Sequence, residues 1–209
     1  YSFLIGIIIS LCSLYFDSWI RYFILYLGIF VDVVIPMFGR KYLKKVPAHL
    51  GHLFERFGLF TIILFGESIV SLIAVLKVED LNWKTIAFAL ISFVIVGLMW
   101  WQYYDNLEEK LDKQLTSSGQ SIIYGHLFIF LSLSVIASLV QLSSLYKINY
   151  PFLLWITFSA VFLYASSATW IFHKYRIEKH RVKFSHMGLL LGLLVAFFVF
   201  DFLVVLPNM

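Results

Sequence analysis

Seven long apolar stretches, separated by short polar connections, constrain this chain more than any other feature. They cover roughly residues 2–16, 19–38, 53–76, 84–104, 122–146, 151–172 and 187–206. A helix rises 1.5 Å per residue, so about 20 apolar residues cross a hydrocarbon core of about 30 Å. None of the stretches alternates with a period of two over about ten residues, as a spanning β-barrel strand would. The expected fold is therefore all-α, a polytopic transmembrane helical bundle of about seven spans forming a single transmembrane domain over residues 1–209. Composition agrees: 61% of the residues are hydrophobic and 13% charged, against about 25% charged in a soluble domain. That balance excludes a soluble enzyme, a disordered tail and a disulfide scaffold.

The net charge of +4 does not mark a nucleic-acid surface, because the basic residues fall in short connections rather than along a solvated stripe. Loops 39–52, 105–121 and 173–186 alternate along the chain and together hold eleven Lys and Arg, against four in the remaining connections. The bias of basic residues toward the inner side places these three loops in the cytoplasm of a multi-pass cell-membrane protein. The expected partners are the bilayer itself and anionic lipid headgroups at the basic loops; a homo-oligomer stays open. The lone Cys12 makes no intrachain disulfide, and no metal or cofactor is expected. His49 and His52 would need further ligands to hold a metal ion.

Charged groups deep in a bilayer cost about 2.5–3.5 kcal/mol on insertion scales, which singles out Asp32, Glu67 and Asp201. Glu67 lies deepest, within roughly 4 Å of the middle of its span. Arg56 lies on nearly the same helical face but about 16 Å away along the axis, so Glu67 must pair with another helix, line a wet cavity or carry a proton. His126 begins the fifth span, and Ser134, Ser138 and Gln141 follow it at helical spacing. These residues line a polar passage or serve close helix packing. Gly188 and Gly192 form a Gly-x-x-x-Gly pair, read as a packing contact. Trp100, Trp101, Tyr103 and Tyr104 read as an interfacial aromatic belt. On the first turns of the third span, His49, His52 and Arg56 share a face and Glu55 points elsewhere. An Asp followed by Pro in both the second and the last span is a weak echo of an inverted repeat.

The run His52-Leu53-Phe54-Glu55-Arg56-Phe57-Gly58, continuing to Leu64-Phe65-Gly66-Glu67-Ser68, resembles the signature of the bacterial low temperature requirement A family. Trp100-Trp101-Gln102-Tyr103-Tyr104-Asp105 and Tyr124-Gly125-His126 follow in the same order. These motifs span about residues 50 to 130, with Phe65 where the family usually has Leu. The usual Phe-Phe-Asp-Leu-Val-like opening is not found, so the chain resembles the later portion of a full-length member, with an N-terminal part missing. The resemblance implies a multi-pass membrane protein associated with growth in the cold and brings no established reaction. Its motif positions His52, Glu55, Arg56, Gly66, Glu67, Trp101, Asp105, Tyr124 and His126 overlap the polar residues singled out above.

No metalloprotease, nucleophile-elbow or phosphate-loop motif is present, and no catalytic residue is assigned. The leading expectation is a transporter or channel for protons, cations or a small polar solute, with Glu67, Asp32, His126 and Asp201 along its pathway. The alternatives are a non-catalytic membrane component that supports cold adaptation, or a lipid-modifying enzyme using Glu55 and His126 as an acid/base pair. The transport reading requires that Glu67 neither point at lipid tails nor be sealed among dry neighbours with no route outward.

Overall fold

The computed structural model describes residues 2–39, 48–78, 82–112, 116–145, 149–177, 179 and 184–205. Seven α-helices are present among them: α1 (Ser2–Cys12), α2 (Trp19–Phe38), α3 (Leu50–Val78), α4 (Trp83–Glu109), α5 (Gln120–Leu145), α6 (Tyr150–Tyr175) and α7 (Phe184–Phe200). All but α1 are long and apolar enough to cross a membrane. Each expected span corresponds to one helix. The first is shorter than expected, because α1 gives way at Ser13–Tyr15 to a 3-10 turn. Much of the basic 39–52 loop, together with Lys113, Lys147, Arg181, Lys183 and Pro207, lies outside the described residues.

The chain divides into two compact units, Tyr1–Ala48 with Thr116–Gln120, and His49–Leu115 with Ser121–Met209. In the first, α1 and α2 form a hairpin that reverses at Ser18, a non-glycine residue held at φ 67°. The two helices approach through small residues. A methyl group on Gly28 would lie 2.2 Å from the Ser10 hydroxyl and 2.7 Å from the Gly6 carbonyl oxygen. In hydrocarbon, where no water is expelled between helices, such close contact is what holds them together.

The second unit packs α3, α4, α5 and α6 around a core that includes Phe54, Phe65, Tyr103, Ile129, Leu133 and Ile171. Helix starts follow local chemistry. Asn82 caps α4 by accepting from the Thr85 N–H at 2.9 Å, and Pro151 occupies the first turn of α6, where its missing N–H has no helical partner to lose. The α7 helix lies against α6 through Phe198, stacked edgewise on Trp155 at 4.7 Å and near Phe158 at 5.4 Å. Contrary to the packing expectation, a methyl group on Gly188 or Gly192 would meet nothing within 4 Å among the described residues. Bulky aromatic contacts hold α7, and its glycines are turned away from them.

The surface is the inverse of a soluble protein's. Leu59, Ile63, Leu90, Leu98, Leu189 and Phe197 are exposed, while Thr61, Ser68, His126 and Ser132 are buried. Such an arrangement is stable where the surroundings are apolar and buried polar groups find partners inside the protein. It is the fold of a membrane protein.

Candidate functional site

One fully enclosed polar group of the second unit is His126. It follows Gly125 on α5, and a methyl group at Gly125 would fall 2.2 Å from Cδ1 of Ile171 on α6. The glycine therefore lets α5 and α6 meet closely just where the imidazole turns inward. The ring is fully buried, stacked on Phe57 at 4.5 Å between centroids, with Phe54 and Phe130 at its edges. Its Nδ1 lies 2.8 Å from the Ile122 carbonyl oxygen. A carbonyl only accepts, so Nδ1 carries a proton, and Nε2 is free to accept from the Tyr103 hydroxyl at 2.8 Å. In that tautomer both nitrogens are satisfied without charge, by Tyr103 and Ile122 rather than by Glu55.

Around this pair the α4 tyrosines tie the bundle together. The Tyr104 hydroxyl donates to the Gly58 carbonyl oxygen on α3 at 2.7 Å. From α6, the Tyr164 hydroxyl contacts the Met99 carbonyl oxygen at 2.8 Å and Gln102 Oε1 at 3.1 Å. Of the expected aromatic belt, Trp100 and Trp101 are exposed, whereas Tyr103 is fully buried and Tyr104 is half-buried. Helical geometry explains the correction: four aromatic residues within five positions cannot all share one face.

The ends of α4 and α6 are clasped. Leu111 and Arg176 form an antiparallel bridge, with Asp112 N–H donating to the Tyr175 carbonyl at 3.0 Å and Ile177 N–H to that of Lys110 at 2.9 Å. Asp105 pairs with Lys110, and the Arg176 guanidinium donates to Asn106 Oδ1. Burial lowers the Arg176 pKa from its usual value, and the Asp105 carboxylate opposes that shift.

Glu67 sits differently. Along α3, Phe54, Thr61, Phe65, Ser68 and Leu72 face inward, and the two hydroxyls bond back to the carbonyls of Phe57 and Leu64. Glu55, Arg56, Ile63, Gly66 and Glu67 lie on the exposed arc. A methyl group on Gly66 would touch nothing within 4 Å among the described residues. Glu67 lines neither the cavity between α3 and α4 nor the apolar cavities among α4, α5, α6 and α7. In the first unit, Asp32 on α2 lies over Gly6, whose added methyl would come 2.1 Å from Oδ1. That oxygen is buried with no hydrogen-bond partner among the described residues. Asp201 is half-buried where α7 passes into a π-helical turn, Asp201–Val205.

The cavity between α3 and α4 holds about 580 Å³. His49, His52, Glu55 and Glu108 line its polar end, and Leu59 and Ile62, both exposed, line an apolar end farther along α3. His52 Nδ1 and Glu55 Oε2 are 3.8 Å apart, so Glu55 does not point away from the histidines; residues three apart on a helix are neighbours. No group of three or more metal-ligating side chains occurs among the described residues.

A family model described as bacterial low temperature requirement A protein (LtrA) matches residues 1–209. The chain belongs to the LtrA family. The match extends to the flanking spans, well past the motif-bearing region of residues 50 to 130. No match to the chain is found among curated proteins or solved structures. In this LtrA chain the family motifs converge from three helices: Phe57 of α3, Tyr103 of α4 and His126 of α5 meet at the buried ring. Tyr124, beside them in sequence, is half-buried, and Trp101 faces outward. Sequence reasoning missed Tyr103 as the partner of His126. The signal was present, since each stands inside a motif, but it says nothing of which motif residues meet.

Proposed function

We propose that this LtrA protein is a membrane transporter or channel component for protons, cations or a small polar solute, with the outward arc of α3 as one wall of its path. The observation that carries the reading is a carboxylate, Glu67, midway along an apolar span and exposed beside an open glycine. Against lipid tails an ionised carboxylate is costly, so the arc is stable when it faces water or polar groups of another helix. Glu55 and Arg56 extend the same arc toward the end of the helix. In the first unit, Asp32 is a second intramembrane carboxylate, one oxygen of which has no hydrogen-bond partner among the described residues. His126 has no role in the path on this reading, because both ring nitrogens are engaged. The bias of Lys and Arg supports a cell-membrane orientation with loops 39–52, 105–121 and 173–186 in the cytoplasm, resting on anionic headgroups.

The test is flux in liposomes. Purified protein should carry a pH- or cation-dependent flux that Glu67→Gln abolishes while the melting temperature is retained. No flux in the parent, or unchanged flux in the variant, overturns the reading. A second reading, a non-catalytic membrane component supporting growth in the cold, is favoured by the saturation of the core tyrosines and His126 with internal hydrogen bonds. It predicts no flux, and cold growth that survives Glu67→Gln.

A further inference from the structure

The α3–α4 cavity has a chemistry of its own and shares only Glu55 with the proposed path along Glu67. Its polar end carries two carboxylates, Glu55 and Glu108, and two imidazoles, and among the described residues neither Lys nor Arg lines it. Farther along α3 the lining turns apolar at Leu59 and Ile62, which are themselves exposed. From Glu55 to Ile62 the helix advances about 10 Å, so the acidic and the apolar ends of the cavity are separated by roughly the length of a short alkyl chain. Tyr104 adds an aromatic ring to the lining, and aromatic faces attract ammonium groups. Both carboxylates are exposed and belong to helices whose inner faces are packed, so the acidic end is held on rigid elements. A pocket with an apolar body and a few placed polar groups is the usual form of a small-molecule site.

The geometry points to a binding site for an ammonium-headed amphiphile, with the cationic head between Glu55 and Glu108 and the tail along Leu59 and Ile62. This preference is opposite in charge to that expected of the basic loops. An anionic head would be repelled by the two carboxylates, and a neutral one would gain only the tail contacts.

The probe is dodecyltrimethylammonium, titrated calorimetrically into the purified chain in dodecyl maltoside, a detergent with the same tail length and a neutral head. Saturable binding above the maltoside background is expected. Glu55→Gln/Glu108→Gln should weaken it about three- to tenfold, as loss of two partly exposed charges implies. Ile62→Trp, which places a bulky ring over the apolar end, should weaken it while leaving both carboxylates in place. Melting temperatures establish that each variant is folded. Displacement of the probe by phosphatidylethanolamine but not phosphatidylglycerol identifies a membrane lipid as the source of the head, and displacement by neither lipid identifies a free amphiphile. Both outcomes support the site. Equal displacement by phosphatidylglycerol, absence of saturable binding, or unchanged affinity in the double variant overturns it.

Discussion

The Tyr103 hydroxyl meets Nε2 of His126 at 2.8 Å, joining α4 to α5 at a point where both side chains are fully buried. The opposite ring nitrogen is held by the Ile122 carbonyl one turn earlier on α5, and Phe57 of α3 covers the ring face. Three helices are thus fixed by one imidazole. A buried polar network of this kind rigidifies a core when every member is satisfied, and becomes costly when one partner is removed.

Tyr103→Phe leaves Nε2 buried without a donor, a loss of about 1–3 kcal/mol. The expected result is a lower melting temperature in detergent. His126→Leu should cost a similar amount, and the double variant less than the sum of the two, because residues in one network couple. Additive losses in a double-mutant cycle would show that the two side chains act separately.

Two glycines of the LtrA motifs should behave oppositely. Gly125→Ala drives a methyl group into Ile171 and should destabilise by about 1–3 kcal/mol, as overpacking does. Gly66→Ala meets nothing and should stabilise by about 0.5–1 kcal/mol, because glycine lowers helix stability. Thermal unfolding of the two variants side by side checks the contrast. Should Gly66→Ala disrupt an oligomer instead, the open arc of α3 is a contact between copies.

Water at Glu67 is directly measurable. In a Cys12→Ser background, Glu67→Cys should react with a small water-soluble thiosulfonate at a rate well above that of Ile63→Cys, its apolar neighbour on the exposed arc. Equal, slow labelling of both would place the whole arc against lipid and remove the physical basis for a path there.

At the clasp, Asn106→Ala strips the Arg176 guanidinium of its amide acceptor while Asp105 stays paired with Lys110. Hydrogen bonds to charged groups are worth about 1.5–3 kcal/mol, and Arg176 is only half-buried, so the loss should fall at or below the lower end. Faster amide exchange at Asp112 and Ile177, whose N–H groups make the bridge, would report the loosened ends of α4 and α6.

The helices themselves were legible in the residues, because a bilayer imposes a length and an apolar composition that few other structures share. The polar residues worth examining were legible too, since Asp32, Glu67 and His126 stand out against hydrocarbon by cost alone. Their surroundings were not. Glu67 and His126 look equivalent as polar groups in apolar spans, yet one is exposed and the other is sealed within an aromatic cage. Gly125 and Gly188 look equivalent as small residues, yet only the first lies against a neighbouring helix. Sequence by itself determined how many helices there are, where they run and which side chains need partners, all of which follow from local composition and the period of the helix. Tertiary structure alone decided which face of each helix turned inward, and so which needs were met within the protein: pairing Tyr103 with His126 takes two helices joined at a particular rotation, set by packing across segments far apart in the chain.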